Sequence, residues 1–355
     1  MRENNYSLYD EVVPEGYDLL GTDWKDLDRY GIPQKPHVET EPRLRDFWNR
    51  LVSPPFHAKR PRFHNMYRPP HTEPNPEPEP HTLVLQTLMR ENLRDCDYFP
   101  SRGGTVQSSL NWSGAIISPP WPKRFILATA GWKAPTVRAA SMRPINVYPG
   151  APRVLVWVGL DGYNGRLPGI SLPQIGTAHL PNGTHFAWWD WWYNPLTKAT
   201  TKSQRRNAIT KFEDFEVRPE DEILAGLTVL ISQDVLFFIK NQCTGQFRSF
   251  LAKPPGDILQ LGSSAEWVVE RPTEPNSGHF HALADYGSLD FDYCMAVAAD
   301  GPVAPGRRLM TLADNGRMMK MREAFPPLVT YVSRAERRRH GDGSIGVTCT
   351  FHKPV

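Results

Sequence analysis

Six of the eight residues in Phe186-Ala187-Trp188-Trp189-Asp190-Trp191-Trp192-Tyr193 are aromatic. Aromatic side chains favour a half-buried pleated surface, so the run reads as a β-strand. Strand side chains alternate, which puts Phe186, Trp188, Asp190 and Trp192 on one face and Trp189, Trp191 and Tyr193 on the other. An ordinary sandwich core takes one of these faces. The other is expected to be an exposed aromatic wall for an elongated ligand such as a peptide or a glycan, unless two cores share the strand.

From about Thr105 onward the chain repeats this theme. Short runs rich in Val, Ile and aromatics alternate with Gly, Pro and Asn: Asn111 to Ile117, Phe125 to Trp132, Arg153 to Gly162, Asp221 to Ile231, Val235 to Asn241, Trp267 to Glu270, Ala282 to Gly287, Leu289 to Val297 and Ser344 to Phe351. Such spacing predicts an all-β sandwich or barrel. The 35 prolines, roughly twice the usual share, agree with a chain full of turns. At 355 residues there is room for one large domain with an appendage, or two domains. A net charge of +3 gives no reason to expect a nucleic-acid partner. No apolar run is long enough to cross a membrane as a helix. Met1 to Asp10 is polar and lacks the apolar centre of a secretory leader, so the chain as written is expected to start in the cytosol. Four scattered cysteines (Cys96, Cys243, Cys294, Cys349) form neither a disulfide framework nor a zinc pair.

Residues 1–104 differ in character. Asp23 to Gly31 reads as a short helix with a Gly C-cap, stopped by Pro33. Pro42 to Val52 places Leu44, Phe47, Trp48 and Leu51 at helical spacing and stops at Ser53-Pro54-Pro55. A basic stretch, His57 to His64, follows. Arg68 to His81 is Pro/Glu-rich and is expected to be extended and semi-rigid. Thr82 to Tyr98 is read as a further short helix.

Several chemical motifs are absent or weak. Gly159 to Gly165 lacks both the spacing and the following helix of a nucleotide-binding loop. No GxSxG elbow exists. His279 and His281 share a strand face without a third ligand at metal spacing, so no metal and no cofactor are expected. Arg334 to Arg339 reads as a solvated turn. Asn5, Asn111 and Asn182 begin glycosylation sequons. Ser263 to Glu270 reads as a strand with Glu266, Val268 and Glu270 on one face. Glu is mostly a surface residue, so a solvated face is the ordinary reading; an acid–base group positioned opposite a buried apolar face is the alternative. Two acids four residues apart on a strand lie about 13 Å apart. Glycosidase pairs need roughly 5 to 9.5 Å, which argues against that chemistry.

Five motifs occur in one order: Asn111-Trp112-Ser113-Gly114-Ala115, Trp157-Val158-Gly159-Leu160-Asp161-Gly162, Leu172-Pro173-Gln174-Ile175-Gly176, Ala187-Trp188-Trp189-Asp190-Trp191 and Ala265-Glu266-Trp267-Val268-Val269-Glu270. Together they resemble the glutamic peptidases, the eqolisin family, over residues 105–355. Leu19 to Pro36, followed by Phe47-Trp48, resembles the leaders that precede some bacterial members. The resemblance implies a concanavalin-like sandwich of two antiparallel sheets and an acid-acting endopeptidase. It places the catalytic Gln on Gln174 and the catalytic Glu on Glu270, and implies substrate-binding positions at Trp157, Trp188, Asp190 and Asp161. Pro173 stands where the family usually has Leu, and Asp190 where it has Glu. The implied partner is a peptide or unfolded protein. Residues 1–104 are expected to be an accessory or propeptide-like segment whose Lys59, Arg60 or Arg62 could pair with cleft carboxylates. The family is mostly secreted, in contrast with the N-terminus of this chain. The alternative is a non-catalytic sandwich that binds glycans or peptides.

Overall fold

The structure is a computed structural model that describes residues 6–37, 39–66, 106–139, 151–164, 171–193, 209–255, 260–273, 280–300, 306–322 and 330–353. The Pro/Glu-rich stretch, the helix expected over Thr82 to Tyr98, Cys96 and His279 lie outside them. In chain order the elements are β1 (Tyr6–Ser7), α1 (Trp24–Arg29), α2 (Pro42–Val52), β2 (His57–Ala58), β3 (Phe63–Asn65), β4 (Val106–Ser109), β5 (Trp112–Ile117), β6 (Arg124–Lys133) and β7 (Val154–Leu160). After a 3-10 turn (Gly162–Asn164) come β8 (Ser171–His179), β9 (His185–Tyr193), β10 (Thr210–Phe212), β11 (Glu222–Val229), β12 (Val235–Asn241), β13 (Gln246–Ala252), β14 (Ala265–Glu270) and β15 (Ser288–Ala299). The chain ends with β16 (Arg308–Thr311), α3 (Leu312–Asn315), β17 (Arg317–Arg322), β18 (Tyr331–Arg339) and β19 (Ile345–Phe351).

Backbone pairing joins these strands into a sandwich. The front layer runs β3–β10–β9–β8–β7–β14–β5–β17, antiparallel throughout. The back layer runs β13–β12–β11–β6–β15. Strands β18 and β19 link β17 to β15, so one continuous sheet folds over on itself. Two tryptophans bridge the layers. Trp132 of β6 donates to Thr177 Oγ1 of β8 at 3.0 Å, and Trp267 of β14 donates to the Thr129 carbonyl of β6 at 2.8 Å. A buried indole N–H needs such an acceptor, so these bonds also fix how the layers meet. Trp189 packs against Phe237 and Phe250 of the back layer, at centroid distances of 5.6 and 4.8 Å.

The expected aromatic wall is corrected. Phe186 and Trp188 are buried, in a second apolar cluster with Leu155, Trp157, Leu172 and Val268 on the far side of the front layer. Two cores therefore share β9, and Trp192 is only half-exposed. Two further expectations change. Arg334–Arg339 lies within β18, zipped to β19 from Ser333↔Phe351 to Arg339↔Ile345, although its arginines do face solvent. Ala282–Gly287 runs extended but pairs only at isolated bridges, Arg153↔Leu283 and Arg138↔Asp285, because it passes two partners and touches each once. Cys294 and Cys349 are both buried and both free.

Residues 6–66 are built into the same sandwich. Both helices form at the expected places: Asp23 caps α1, Gly31 follows it with φ +66°, and Pro42 opens α2. A positive φ suits glycine, which has no Cβ to clash. Leu44, Phe47, Trp48 and Leu51 lie on one face of α2 and enter the main core. Lys240, fully buried on β12, donates to the carbonyls of Arg50 (3.2 Å) and Ser53 (2.6 Å) at the end of α2. β1 pairs with β13, and β3 extends the front layer beyond β10. Phe47 sits between Phe238 and Tyr293, 2% exposed. Phe47→Ala is expected to cost about 3–5 kcal/mol, as large-to-small core changes do. Urea denaturation should show one cooperative transition at a lower midpoint; an unchanged midpoint would mean that α2 is not part of this core.

Candidate active site

The front layer assembles the predicted residues on the face turned away from the back layer. Glu270 is opposite Trp112 of β5 and Leu155 of β7. Trp157 is opposite Val268 and Gly176, Gly176 opposite Trp188, and Gln174 opposite Gly159 and Asp190. Alternation therefore puts Trp157, Gln174, Trp188, Asp190, Glu266 and Glu270 on one surface. Gly176 makes room for this. A Cβ there would stand 2.6 Å from the Cβ of Trp157 and 2.0 Å from the Val156 carbonyl oxygen. Glu270 and Gln174 register with positions four residues apart on β7, with Trp157 midway.

Glu270 is half-buried and held at both oxygens. Trp157 Nε1–H donates to Oε2 at 2.7 Å, and Asn111 Nδ2–H donates to Oε1 at 3.2 Å. The Trp112 indole packs edge-on to Trp157 at 5.0 Å. Its N–H also favours the charged form of Glu270, although it makes no full hydrogen bond. Burial outweighs all three donors and pushes the Glu270 carboxyl up to about 7. Asp190 is pushed up to about 8, first by burial and then by the charge of Glu270; the Trp191 backbone N–H and the Gln174 side chain oppose this. Asp190 is thus in electrostatic contact with both Gln174 and Glu270. The Gln174 Oε1 atom takes no hydrogen bond from the chain.

Asp161 and Glu266 are two further acids on this side of the front layer, Glu266 in the same cross-strand row as Gln174 and Asp190. Asp161, wholly buried at the end of β7, accepts from the Leu261 N–H at 2.7 Å and the Ser263 hydroxyl at 2.9 Å. Its carboxylate is committed to the 261–263 loop. Glu266, also wholly buried, accepts from the Tyr163 N–H at 3.1 Å and so anchors the turn after β7. Burial, with the nearby Asp161 charge, pushes Glu266 up to about 8. The Tyr163 hydroxyl in turn accepts from Gln107 at 2.5 Å and Arg317 at 3.3 Å.

The structure brings together Trp157, Gln174, Trp188, Asp190 and Glu270, and leaves Asp161 at the end of β7, bonded to the 261–263 loop. Sequence reasoning gave no role to Asn111 beyond its motif and sequon, and missed Ser109 and Tyr163; the Asn111-Trp112 motif was the available signal. Lys59, Arg60 and Arg62 lie elsewhere. Arg60 donates to the Asp10 carbonyl, Arg62 is beside Asp214, and the Lys59 backbone meets Phe247. His281 is buried, and the Arg153 charge adds to burial in lowering its pKa to about 4. Among the described residues, no three His, Cys, Asp or Glu side chains converge in a way that could hold a metal ion, and no helix is long and apolar enough to span a membrane.

Two measurements check these electrostatics. Trp157→Phe keeps the ring but removes the donor to Oε2, so Glu270 should titrate at higher pH than in the parent, observed by carboxyl carbon NMR. Glu266 holds its proton in the folded chain up to about 8, against an ordinary value of 4.5. Between those values the folded state binds the proton that the unfolded state releases, so this group's contribution to stability falls as pH rises. Glu266→Gln should therefore flatten the decline in urea midpoint between about pH 5 and about pH 8. An unchanged slope would show that Glu266 does not titrate in that window.

The chain resembles scytalido-glutamic peptidase solved with a transition state analog inhibitor, at 19% identity and a TM-score of 0.50, covering 69% of this chain and 99% of that one. It is also similar to SCP-B, an eqolisin-family peptidase solved with the tripeptide Ala-Ile-His, at 17% identity, TM-score 0.48, and 69% and 99% coverage. Aspergilloglutamic peptidase from Aspergillus niger aligns at 19% identity and TM-score 0.40 over 57% of this chain and 99% of that one. The first of these likenesses carries the sandwich fold. No curated protein matches the chain. The Peptidase A4 family signature matches residues 110–324, more than half of the sequence, and spans every strand from β5 to β17: the chain belongs to the Peptidase A4 family of glutamic peptidases and is a glutamic-type peptide hydrolase.

Proposed function

We propose that the chain is an endopeptidase in which Glu270 is the general base and acid and Gln174 stabilises the oxyanion. The observation that carries this reading is the shared face: Gln174 stands opposite Asp190, and Glu270, held by Trp157 and Asn111, lies on the same side of the front layer. A titratable carboxylate and an untitratable amide on one face suit this chemistry. Glu270 as carboxylate takes a proton from water as the oxygen attacks the scissile carbonyl, and the C–N bond breaks as the same proton passes to the leaving amine. The Gln174 N–H donates to the oxygen that becomes negative in the tetrahedral intermediate. Trp157 and Trp188 are buried beneath this face and give it a rigid floor, while half-exposed Trp112 and Trp192 offer apolar contact for an extended peptide or unfolded protein laid along the strands. Asp161 acts through the loop it holds.

Titration sets the working range. Glu270 must be ionised to act, so kcat/KM should rise with pH through about 7. Asp190 beside Gln174 must stay neutral, since its anion would repel the developing oxyanion; activity should fall once pH passes about 8. Burial therefore predicts an optimum nearer neutrality than the acid range that the family resemblance implies. The test is hydrolysis of an unfolded protein from about pH 2 to about pH 9, with Glu270→Gln and Gln174→Ala in parallel. Gln174→Ala should lose about 10²- to 10³-fold in kcat, the usual effect of removing one oxyanion donor. Glu270→Gln should fall to background. Full activity in folded Glu270→Gln would remove the base from the mechanism, and a maximum in strong acid would reject the titrations assigned here.

A further inference from the structure

We infer that Asn111 is a positioning residue for Glu270, and that Ser109 fixes the orientation in which Asn111 acts. This rests on the reading of Glu270 as the general base. It goes beyond that reading by assigning work to a bend that carries no titratable group at the site.

The assignment follows from counting donors. A serine hydroxyl has one proton to give and two lone pairs to receive. Ser109 Oγ accepts from the backbone N–H of Asn111 (3.3 Å) and of Trp112 (3.1 Å), which uses both lone pairs. Its own proton goes to Asn111 Oδ1 at 3.1 Å. The carbonyl end of the Asn111 amide is therefore committed to Ser109. The NH₂ end must face Glu270, where it donates to Oε1 at 3.2 Å. A flipped amide would confront the hydroxyl proton with an NH₂ group and Glu270 with a second acceptor, losing both bonds. Ser109 is buried, so water does not compete freely for its hydroxyl.

The bend itself is pinned by the residue after the base. The Arg271 N–H donates to the Asn111 carbonyl at 3.0 Å, its Nε to the Leu110 carbonyl at 2.7 Å, and its Nη2 to the Arg322 carbonyl at 3.2 Å. Arg271 is 3% exposed and lies over the Phe280 ring. Bend and base thus move as one unit. With Trp157 on Oε2, the Asn111 donor leaves the carboxylate a single orientation for the attacking water. An amide keeps this role at every pH, which a His or Lys would not. The same geometry makes the sequon at Asn111 unusable in the folded chain: its side-chain nitrogen faces the site, and Ser113 is fully buried.

The experiment compares Asn111→Ala, Asn111→Asp and Ser109→Ala with the parent and with Glu270→Gln, using one neutral peptide across the pH range. Thermal melts confirm folding. Asn111→Ala should lose on the order of 10- to 100-fold in kcat with KM little changed, the scale of one hydrogen bond to a charged group. Its ascending pH limb should move to higher pH, because a donor that favoured the carboxylate is gone. Asn111→Asp, of nearly the same shape, should move the limb further, since a second acid opposes ionisation of Glu270. Ser109→Ala frees the amide to flip and should fall between parent and Asn111→Ala. If Glu270→Gln is inactive while folded Asn111→Ala and Asn111→Asp keep the parent limb and kcat, the positioning role is overturned and the base assignment stands. An active Glu270→Gln would instead overturn the base assignment and this inference with it. Should Asn111→Ala fail to fold, Asn111→Asp and Ser109→Ala decide the question by the same limb.

Discussion

Strand β9 needs cover on both faces, and the rest of the molecule answers that need. Trp189 and Trp191 demand one apolar neighbour; Phe186 and Trp188 demand another. A single flat sheet cannot supply the first. Folding the sheet over brings the back layer onto Trp189, while the opposite face of the front layer gathers Leu155, Trp157 and Val268 around Trp188. The site sits on that second, smaller core. Its polar groups are therefore held against tryptophan and leucine, with little water to screen them.

This placement sets the chemistry. Four carboxyls, those of Asp161, Asp190, Glu266 and Glu270, lie in or behind the front layer, and burial raises every one of them. Three of them, Asp190, Glu266 and Glu270, are pushed up to between about 7 and about 8, and among the described residues no cation is set against them. The hydrogen-bond donors supplied to them are uncharged: indoles, amides, a hydroxyl and backbone N–H groups. Such donors orient a carboxylate and partly offset desolvation without forcing ionisation as an arginine would. A group left near the midpoint of its titration can both take and return a proton, which peptide hydrolysis by a single acid requires.

Residues 6–66 belong to the same physical unit. α2 packs into the main core, and Lys240 receives its last carbonyls as partners. β3 adds an outer strand to the layer that carries Trp188 and Asp190. The family signature begins only at residue 110. Residues 6–66 thus lie outside the matched region and still extend the sandwich along the β10 edge.

Much of this was legible in the sequence. Alternating aromatics and short β-branched runs between turn residues predicted the sandwich, and helical spacing gave α2 its bounds. The five ordered motifs pointed to Gln174 and Glu270. Sequence could not say that both faces of β9 are buried, because alternation assigns faces without saying what covers them. It read Arg334–Arg339 as a turn, since exposed charge carries no record of a cross-strand partner. Nor could it find the link from Ser109 through Asn111 to Glu270, which joins positions 159 residues apart through the exhaustion of one hydroxyl's bonding capacity. Residue identity and local period determined which strands form and which chemical groups they carry. Burial, register and donor count exist only once distant strands meet, and these decided which acid holds its proton and which way an amide points.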